Sequence, residues 1–425
     1  MTLAPAAPFV PPSMVAFPGG TCRGCGAGLS TQLIDLGMSP LCESFLPAER
    51  TNAMEPFYPL RVYVCDECLL AQLQEYVAVE DIFTEYAYFS SYSDSWVGHM
   101  KNYTEMISAR LGLGETSFVV ELASNDGYLL QHFVEKRIPC LGVEPARNVA
   151  QSAVDKGVPT LMRFFGVETA RAMVEDYGRA DLVIGNNVLA QVPDLADFLG
   201  GIAILLAPGG TVTIEFPHLL RLIEENQFDT IYHEHFSYFS ALATQQLFAR
   251  HGLQLFDVEE LPTHGGSLRV YARHAGGGRP SAAVEALIAR ERAAGLEDMS
   301  GYTRFRQQVE QTKRRILRGL GELKDQGKTI VGYGAPGKGN TLLNYCGIRT
   351  DFLDYTVDRN PYKHGKFTPG THIPIFAPER IAETKPDFIF ILPWNLREEI
   401  VQQLAYTREW GCRLIVPIPQ FEVLP

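Results

Sequence analysis

No stretch of this 425-residue sequence offers the ~20 uninterrupted apolar residues that a membrane-spanning helix needs. The nearest approach, residues 200–216, is broken by Ala207-Pro208-Gly209-Gly210 and carries Glu215 near its end, so it reads as a helix, a turn and a strand. The first 20 residues hold five prolines and neither lysine nor arginine. A signal peptide needs a basic start and an unbroken apolar core, so this part reads as a disordered leader, with the cytoplasm as the expected location. Positive charge is also in deficit: 37 Lys and Arg against 49 Asp and Glu leave −12. That field repels polyanions and argues against nucleic acid or an anionic membrane as partner, though one phosphate group can still find a local basic patch. Internal repeats are absent, as are low-complexity tracts beyond the leader. With 46% hydrophobic and 20% charged residues, the composition is that of a globular protein of two to four domains, long enough to bury large cores without disulfides.

Eight cysteines are present, and four form two C-x-x-C pairs, Cys22/Cys25 and Cys65/Cys68. Such a turn directs both sulfurs to one side, so two pairs complete a four-thiolate zinc site with no water ligand. Disulfides are disfavoured in a large cytoplasmic protein. A closed site of this kind holds a small domain together and does no chemistry. Cys42, Cys140, Cys346 and Cys412 are isolated and read as packing residues.

Beyond an aromatic, serine-rich segment around Tyr86 and Tyr88, strand and helix patterns alternate. Strands are expected at 118–122, 140–144, 181–184 and 210–216, with helices at 128–137 and 148–156 between them. This spacing implies an α/β fold with a parallel sheet covered on both faces. Gly276-Gly277-Gly278-Arg279-Pro280 marks a linker, followed by a charged helical stretch. A second αβ unit then begins at Lys328, with strands expected at 329–332, 352–357, 387–392 and 413–416 and a helix at 338–346. The expected division is a leader at 1–20, a zinc module at 21–80, a nucleotide-binding domain at 81–275, a helical connector at 276–325 and a Rossmann-like domain at 326–425.

The first αβ unit contains Val120-Glu121-Leu122-Ala123-Ser124-Asn125-Asp126-Gly127, running from a strand through a tight turn into a helix. In such folds the crevice at the carboxyl ends of the strands binds the ligand. Glu144, ending the next strand, suits the two hydroxyls of a ribose, and Asp126 suits an amino group. No G-x-G-x-x-G loop occurs here, which fits an adenosine ligand without a pyrophosphate, such as S-adenosylmethionine (SAM). A plain turn with solvated acids is the alternative.

Glu121 to Gly127, Gly142-Val143-Glu144-Pro145, Phe164-Phe165, Asn186-Asn187 and Ala207-Pro208-Gly209-Gly210 resemble the SAM-binding motifs of class I methyltransferases. With the four cysteines and Tyr232-His233-Glu234-His235-Phe236, they resemble the nucleotide-sugar C-methyltransferases of deoxysugar biosynthesis. The resemblance covers nearly the whole chain from Cys22. It implies an N-terminal zinc module, a central class I SAM domain and a C-terminal Rossmann-like domain that helps hold the sugar nucleotide. The SAM contacts it implies are Glu121, Ala123, Ser124, Asn125, Asp126, Glu144, Phe165, Asn186 and Asn187. Ala123 replaces the usual glycine, and Gln191 stands where some members have histidine.

Carbon methylation needs a carbon nucleophile, and a 4-keto sugar supplies one because the ketone acidifies the hydrogen on C-3. Removing that proton calls for a base titrating near neutrality, which favours histidine. His235 is the expected base, with Glu234 orienting it or binding the sugar and Tyr232 donating to the keto oxygen; the resemblance implies the same three positions. Surface histidines in a loop are the alternative, and the absence of H-E-x-x-H argues against a metal here. Tyr86, Tyr88 and His264 are candidate sugar contacts, with core aromatics and plain turn chemistry as their respective alternatives.

Gly332-Tyr333-Gly334-Ala335-Pro336-Gly337-Lys338 matches G-x-G-x-x-G between a strand and a helix, and Asp358 follows near the end of the next strand. Read alone, this loop proposes NAD and an oxidoreductase. Pro336 removes an amide donor, and Lys338 can neutralise a phosphate, which suits a nucleotide diphosphate sugar instead. Gly334, Lys338 and Lys363 are therefore expected substrate contacts. The resulting reading is a SAM-dependent C-methyltransferase acting at C-3 of a dTDP-linked 4-keto-deoxysugar, with the oligomeric state left open and a monomer compatible with it. A sugar O-methyltransferase, an NAD-dependent oxidoreductase and a non-catalytic sugar-nucleotide binder are the alternatives.

Overall fold

The computed structural model describes residues 20–77, 90–92 and 94–424; Tyr86 and Tyr88 lie outside them. The strands, in chain order, are β1 (Thr31–Ser39), β2 (Leu46–Pro47), β3 (Tyr58–Val64), β4 (Ala71–Leu73), β5 (Val119–Leu122), β6 (Cys140–Val143), β7 (Thr160–Leu161), β8 (Ala180–Asn186), β9 (Leu206–Pro217), β10 (Ser237–Tyr238), β11 (Leu253–Leu261), β12 (Ser267–His274), β13 (Ile330–Tyr333), β14 (Thr356–Val357), β15 (Lys366–Phe367), β16 (Ile375–Phe376), β17 (Phe388–Ile391), β18 (Arg413–Val416) and β19 (Glu422–Leu424).

The central sheet runs β11-β12-β9-β8-β5-β6-β7. Its strands β5 to β9 are parallel, and β5 is buried at all four positions, as expected of a strand covered on both faces. The sheet is not wholly parallel, however: β12 runs antiparallel to β9 and to β11, forming a hairpin at one edge. Helix starts follow local chemistry. Asp194 accepts the Asp197 N–H at 2.9 Å ahead of Leu195–Leu205, and Ser240 accepts the Ala243 N–H at 3.0 Å ahead of Ala241–Arg250.

A second sheet, β16-β14-β13-β17-β18-β19, is parallel except for its last strand. Between the two lie the helices Ala282–Ala293 and Ser300–Asp325. Around the cysteines, β1, β3 and β4 form an antiparallel sheet completed by β10, which comes from residues 237 and 238. The short pair β2–β15 joins this region to the C-terminal one. The segment containing His235 is thereby stitched to the cysteine-bearing sheet. No helix among the described residues is long and apolar enough to cross a membrane.

Candidate active site

The four ligand sulfurs of Cys22, Cys25, Cys65 and Cys68 all lie within 4.8 Å of one another. Cys22–Cys68 and Cys25–Cys65 are each 3.5 Å apart, close to the ~3.8 Å edge of a tetrahedron built on ~2.3 Å zinc–sulfur bonds. In both turns the amide four residues on returns to the first cysteine's carbonyl, Gly26 to Cys22 and Leu69 to Cys65, with positive φ at Gly26 and Leu69. The Gln72 side-chain amide donates to the Cys22 sulfur at 3.1 Å. These residues fit one structural zinc ion.

At the carboxyl ends of β5 and β8 the backbone makes left-handed turns at Ala123, Asn125 and Asn187. Four buried oxygens there have no hydrogen-bond partner among the described residues, one each of Ser124, Asp126, Asn186 and Asn187, while the buried Glu121 carboxylate takes the Tyr128 hydroxyl. Acceptors left unpaired in a crevice are the right chemistry for the ammonium, hydroxyls and sulfonium of SAM. Asp126 is held by Lys156 at 2.9 Å and by Ser91. Glu144 accepts from the Asn125 and Ala146 amides at 3.0 and 2.8 Å, and burial pushes its carboxyl up to about 7. Phe165 packs edge-on against Phe198 with ring centres 5.5 Å apart.

Asn187 connects this crevice to a second group of side chains. Its amide nitrogen lies 3.1 Å from His264 Nε2. His264 itself has φ 55° and is followed by Gly265 and Gly266, both in positive-φ conformations. The loop is fixed from below: Thr263 donates to Glu215 at 2.9 Å, and Glu215 also takes Arg269 at 2.7 Å and lies 3.2 Å from His99. Such backbone strain, held by a buried network, is common where a side chain must be aimed.

His235 faces the same space. Its ring packs on Tyr232 with centres 4.2 Å apart. Burial pushes its imidazole down to about 4, with the Thr230 carbonyl opposing and His264 and Lys338 adding to the fall. His264 lies beside Asn187 and 5.0 Å from the Trp96 ring; the surrounding protein and Lys338 lower its affinity for a proton, while the residue itself stays exposed to solvent. His235 is thus neutral at physiological pH and in the form that accepts a proton, but an imidazole held near 4 is a weaker base than the near-neutral one expected from the chemistry.

Glu234 departs from one expected role. Its carboxylate does not orient His235 but lies 3.6 Å from the Cys42 thiol, and burial next to Glu43 pushes it up to about 8. Adjacent residues in an irregular segment point in different directions, which residue order alone does not show. Lys338 and Lys363 also part company. Lys363 donates to the Ala335 carbonyl at 2.8 Å and sits 3.6 Å from Glu43. Lys338 lies inward, donating to Asn395 at 3.0 Å over the Trp394 ring. Gly334 owes its φ of 84° to close packing, since a Cβ there would lie 2.6 Å from Pro393. Glu43 meets the Gly337 amide, and Asp358 accepts from the Ala335 amide at 2.7 Å. The Gly332–Lys338 turn is therefore filled by the chain's own carboxylates.

Several residues in these groups carry no sequence signal. Trp96, His99, Lys156, Trp394 and Asn395 sit in ordinary helix or loop contexts, and Cys42 reads as packing. Asp229 had one clue, lying three residues before Tyr232; its Oδ2 accepts the Trp394 indole N–H at 2.6 Å.

Three family models match in succession: "Putative zinc binding domain" over residues 22–83, "Methyltransferase domain" over 99–258 and "C-methyltransferase C-terminal domain" over 262–419. The chain is 37% identical over 406 residues to C-methyltransferase NovU of Streptomyces niveus, covering 95% of this chain and 96% of NovU. Among solved structures, magnesium protoporphyrin IX methyltransferase of Synechocystis, with bound SAM, matches 43% of this chain and 82% of its own at 14% identity, with a TM-score of 0.32. The CcbJ methyltransferase of Streptomyces caelestis matches 41% and 89% at 14% identity, also with a TM-score of 0.32. Full-length identity to NovU, the three consecutive models and the observed strand order together make this chain a member of the SAM-dependent C-methyltransferase family, with a class I Rossmann-like fold and an N-terminal zinc-binding module.

Proposed function

We propose that the protein methylates C-3 of a dTDP-linked 4-keto-deoxysugar through an enolate, in deoxysugar biosynthesis in the cytoplasm, and works as a monomer. SAM supplies the electrophilic methyl group. The chain's own part is to hold the ketone, withdraw the neighbouring proton and keep water out. His235, neutral and enclosed, takes the proton from C-3, and Tyr232 donates to the keto oxygen. Glu121, Ser124, Asp126, Glu144, Asn186 and Asn187 hold SAM. Ala123 and Asn125 shape its turn, and Phe165 borders it. His264 and the aromatic segment with Tyr86 and Tyr88 serve the sugar nucleotide, and Glu234 borders its site; Gly334 and Lys363, closed in by Pro393 and Glu43, are not assigned to it.

The observation that carries this reading is the chain of neighbours from the SAM crevice to the base. Asn187 touches the exposed His264, and His264, the half-buried His235 and Lys338 of the last sheet unit lie within electrostatic reach of one another. A ketone next to an acidic C–H suits that space, whereas a simple hydroxyl needs only one deprotonation and no donor for an enolate. The oxidoreductase alternative is disfavoured by Glu43 and Asp358, which fill the glycine-rich turn where a pyrophosphate would bind.

The test is incubation of the protein in D₂O with dTDP-4-keto-deoxysugars, with and without SAM, followed by NMR. The expected result is deuterium entering at C-3 without SAM and a new C–CH₃ signal with it. His235→Asn should lower both by about 10²-fold or more, the usual scale for a general base, while SAM affinity by calorimetry stays near normal. An O-methyl product without C-3 exchange, or full turnover in the variant, would sink the reading.

A further inference from the structure

Lys338 invites a phosphate when read in sequence, yet the folded chain turns it elsewhere. It is the second residue of the helix Gly337–Cys346, whose position is fixed from two sides. Thr341 Oγ1 donates to the Ile231 carbonyl at 3.1 Å, and the Asn340 amide donates to the Cys42 carbonyl at 2.6 Å. The first contact ties the helix to the residue next to Tyr232. The end of the helix that would greet a phosphate already meets Glu43.

The ammonium of Lys338 rests on a built floor. One donor goes to Asn395 Oδ1 at 3.0 Å, and the charge lies 5.0 Å above the Trp394 ring centre. The Trp394 indole donates to Asp229 Oδ2 at 2.6 Å, while Asp229 Oδ1 is buried without a partner among the described residues. Trp394 also backs the strained loop, because a Cβ on Gly265 would lie 3.2 Å from it. His264 is the residue before Gly265, and His235 lies on the segment that the helix grips. The Lys338 charge acts on both His235 and His264, and a buried carboxylate lies behind the indole. Burial lowers the affinity of Lys338 for its proton, and Asp229 opposes that fall and helps keep the ammonium charged. A lysine ammonium has three donors, so two remain for a ligand oxygen once Asn395 is served.

We propose that Lys338 is a catalytic residue of the methylation, its ammonium donating to the keto oxygen on which negative charge collects as His235 withdraws the adjacent proton. Asn395 and, through Trp394, Asp229 are its positioning residues. The C–H bond electrons move into the enolate, the proton goes to His235, and Lys338 keeps its own proton while hydrogen-bonding the oxygen. This rests on the keto-substrate reading above. A donor fixed in advance where charge develops is worth roughly 10²–10³-fold in rate.

The test compares Lys338→Met, Lys338→Arg and Asn395→Ala with the unaltered protein. The readouts are kcat, KM, C-3 deuterium exchange without SAM, and affinity for dTDP by calorimetry. Lys338→Met should lose about 10²-fold or more in both kcat and exchange, with KM and dTDP affinity held within about twofold. Lys338→Arg should recover part of the loss, and Asn395→Ala should show a smaller loss of the same kind. A raised KM and weakened dTDP binding with kcat intact would make Lys338 a phosphate anchor and overturn the proposal. Wild-type exchange in Lys338→Met would overturn it as well. If Lys338→Met fails to fold, unchanged kcat in Asn395→Ala overturns it. Absence of exchange in the unaltered protein would instead sink the keto-substrate reading itself.

Discussion

Ala123, Asn125 and Asn187 show one backbone demand met in two ways. All three adopt left-handed conformations, with φ of 56°, 49° and 55°, at the ends of β5 and β8 where the chain turns under the cofactor crevice. Asparagine tolerates this region because its short polar side chain can bond locally, so at two positions the turn was legible in the sequence. Alanine has no such compensation, and its Cβ costs ~1–2 kcal/mol there. Ala123→Gly removes that cost but adds glycine's ~0.5–1 kcal/mol of chain entropy. The variant should therefore be more stable by up to about 1 kcal/mol in thermal denaturation, with SAM binding retained. A clear loss of stability would mean that the methyl group contributes packing that outweighs the strain. His235 could be read only half-way: residue type announced it, but its surroundings, which set its protonation, required the fold.

At the scale of elements, strand alternation was legible because β5 and β8 are buried at all but one position, Asp181, and their residues are mostly apolar, with Glu121 and Asn186 as buried polar exceptions. Residues 352–357 were expected to form one strand, yet only Thr356–Val357 does. Phe352 and Leu353 instead return their amides to the Arg349 carbonyl in a helical turn. β11 carries no clear strand signal, since its acids Asp257, Glu259 and Glu260 dilute its apolar pattern. Attachment of the helix Ala282–Ala293 was not legible at all. Its Glu291, fully buried, accepts from His218 Nε2 at 2.6 Å and from the Ala241 and Leu242 amides at 2.7 and 2.8 Å. One carboxylate thus caps the helix Ala241–Arg250 and anchors the residue following β9. Glu291→Leu would strand three buried donors, and should destabilise the protein by about 3–5 kcal/mol in guanidinium unfolding. A loss below about 1 kcal/mol would show that the junction relaxes to restore these bonds.

Across the whole molecule, the four-cysteine site and the segment holding His235 are joined through a strand. β10 pairs with β4, and the Leu73 amide donates to the Phe236 carbonyl at 2.9 Å, so the cysteine-bearing sheet sets the path of the residues flanking His235. Cys65→Ser should reduce bound zinc well below one per chain by mass spectrometry. It should also raise amide hydrogen exchange across residues 236–240, while β13, β17 and β18 stay protected. Full zinc content in that variant would contradict the four-thiolate site. The sequence by itself determined the four ligand cysteines, the alternating αβ order and the existence of a turn at each nucleotide-like loop. All of these follow from spacing over a few residues, within reach of local backbone geometry. Tertiary structure alone decided that Glu234 leaves His235 for Cys42, that Glu43 fills the glycine-rich turn, and that Lys338 meets Trp394 and Asp229 beside the imidazoles. Those outcomes depend on which way a side chain points once segments distant in the chain have packed, and spacing along the chain carries no record of that.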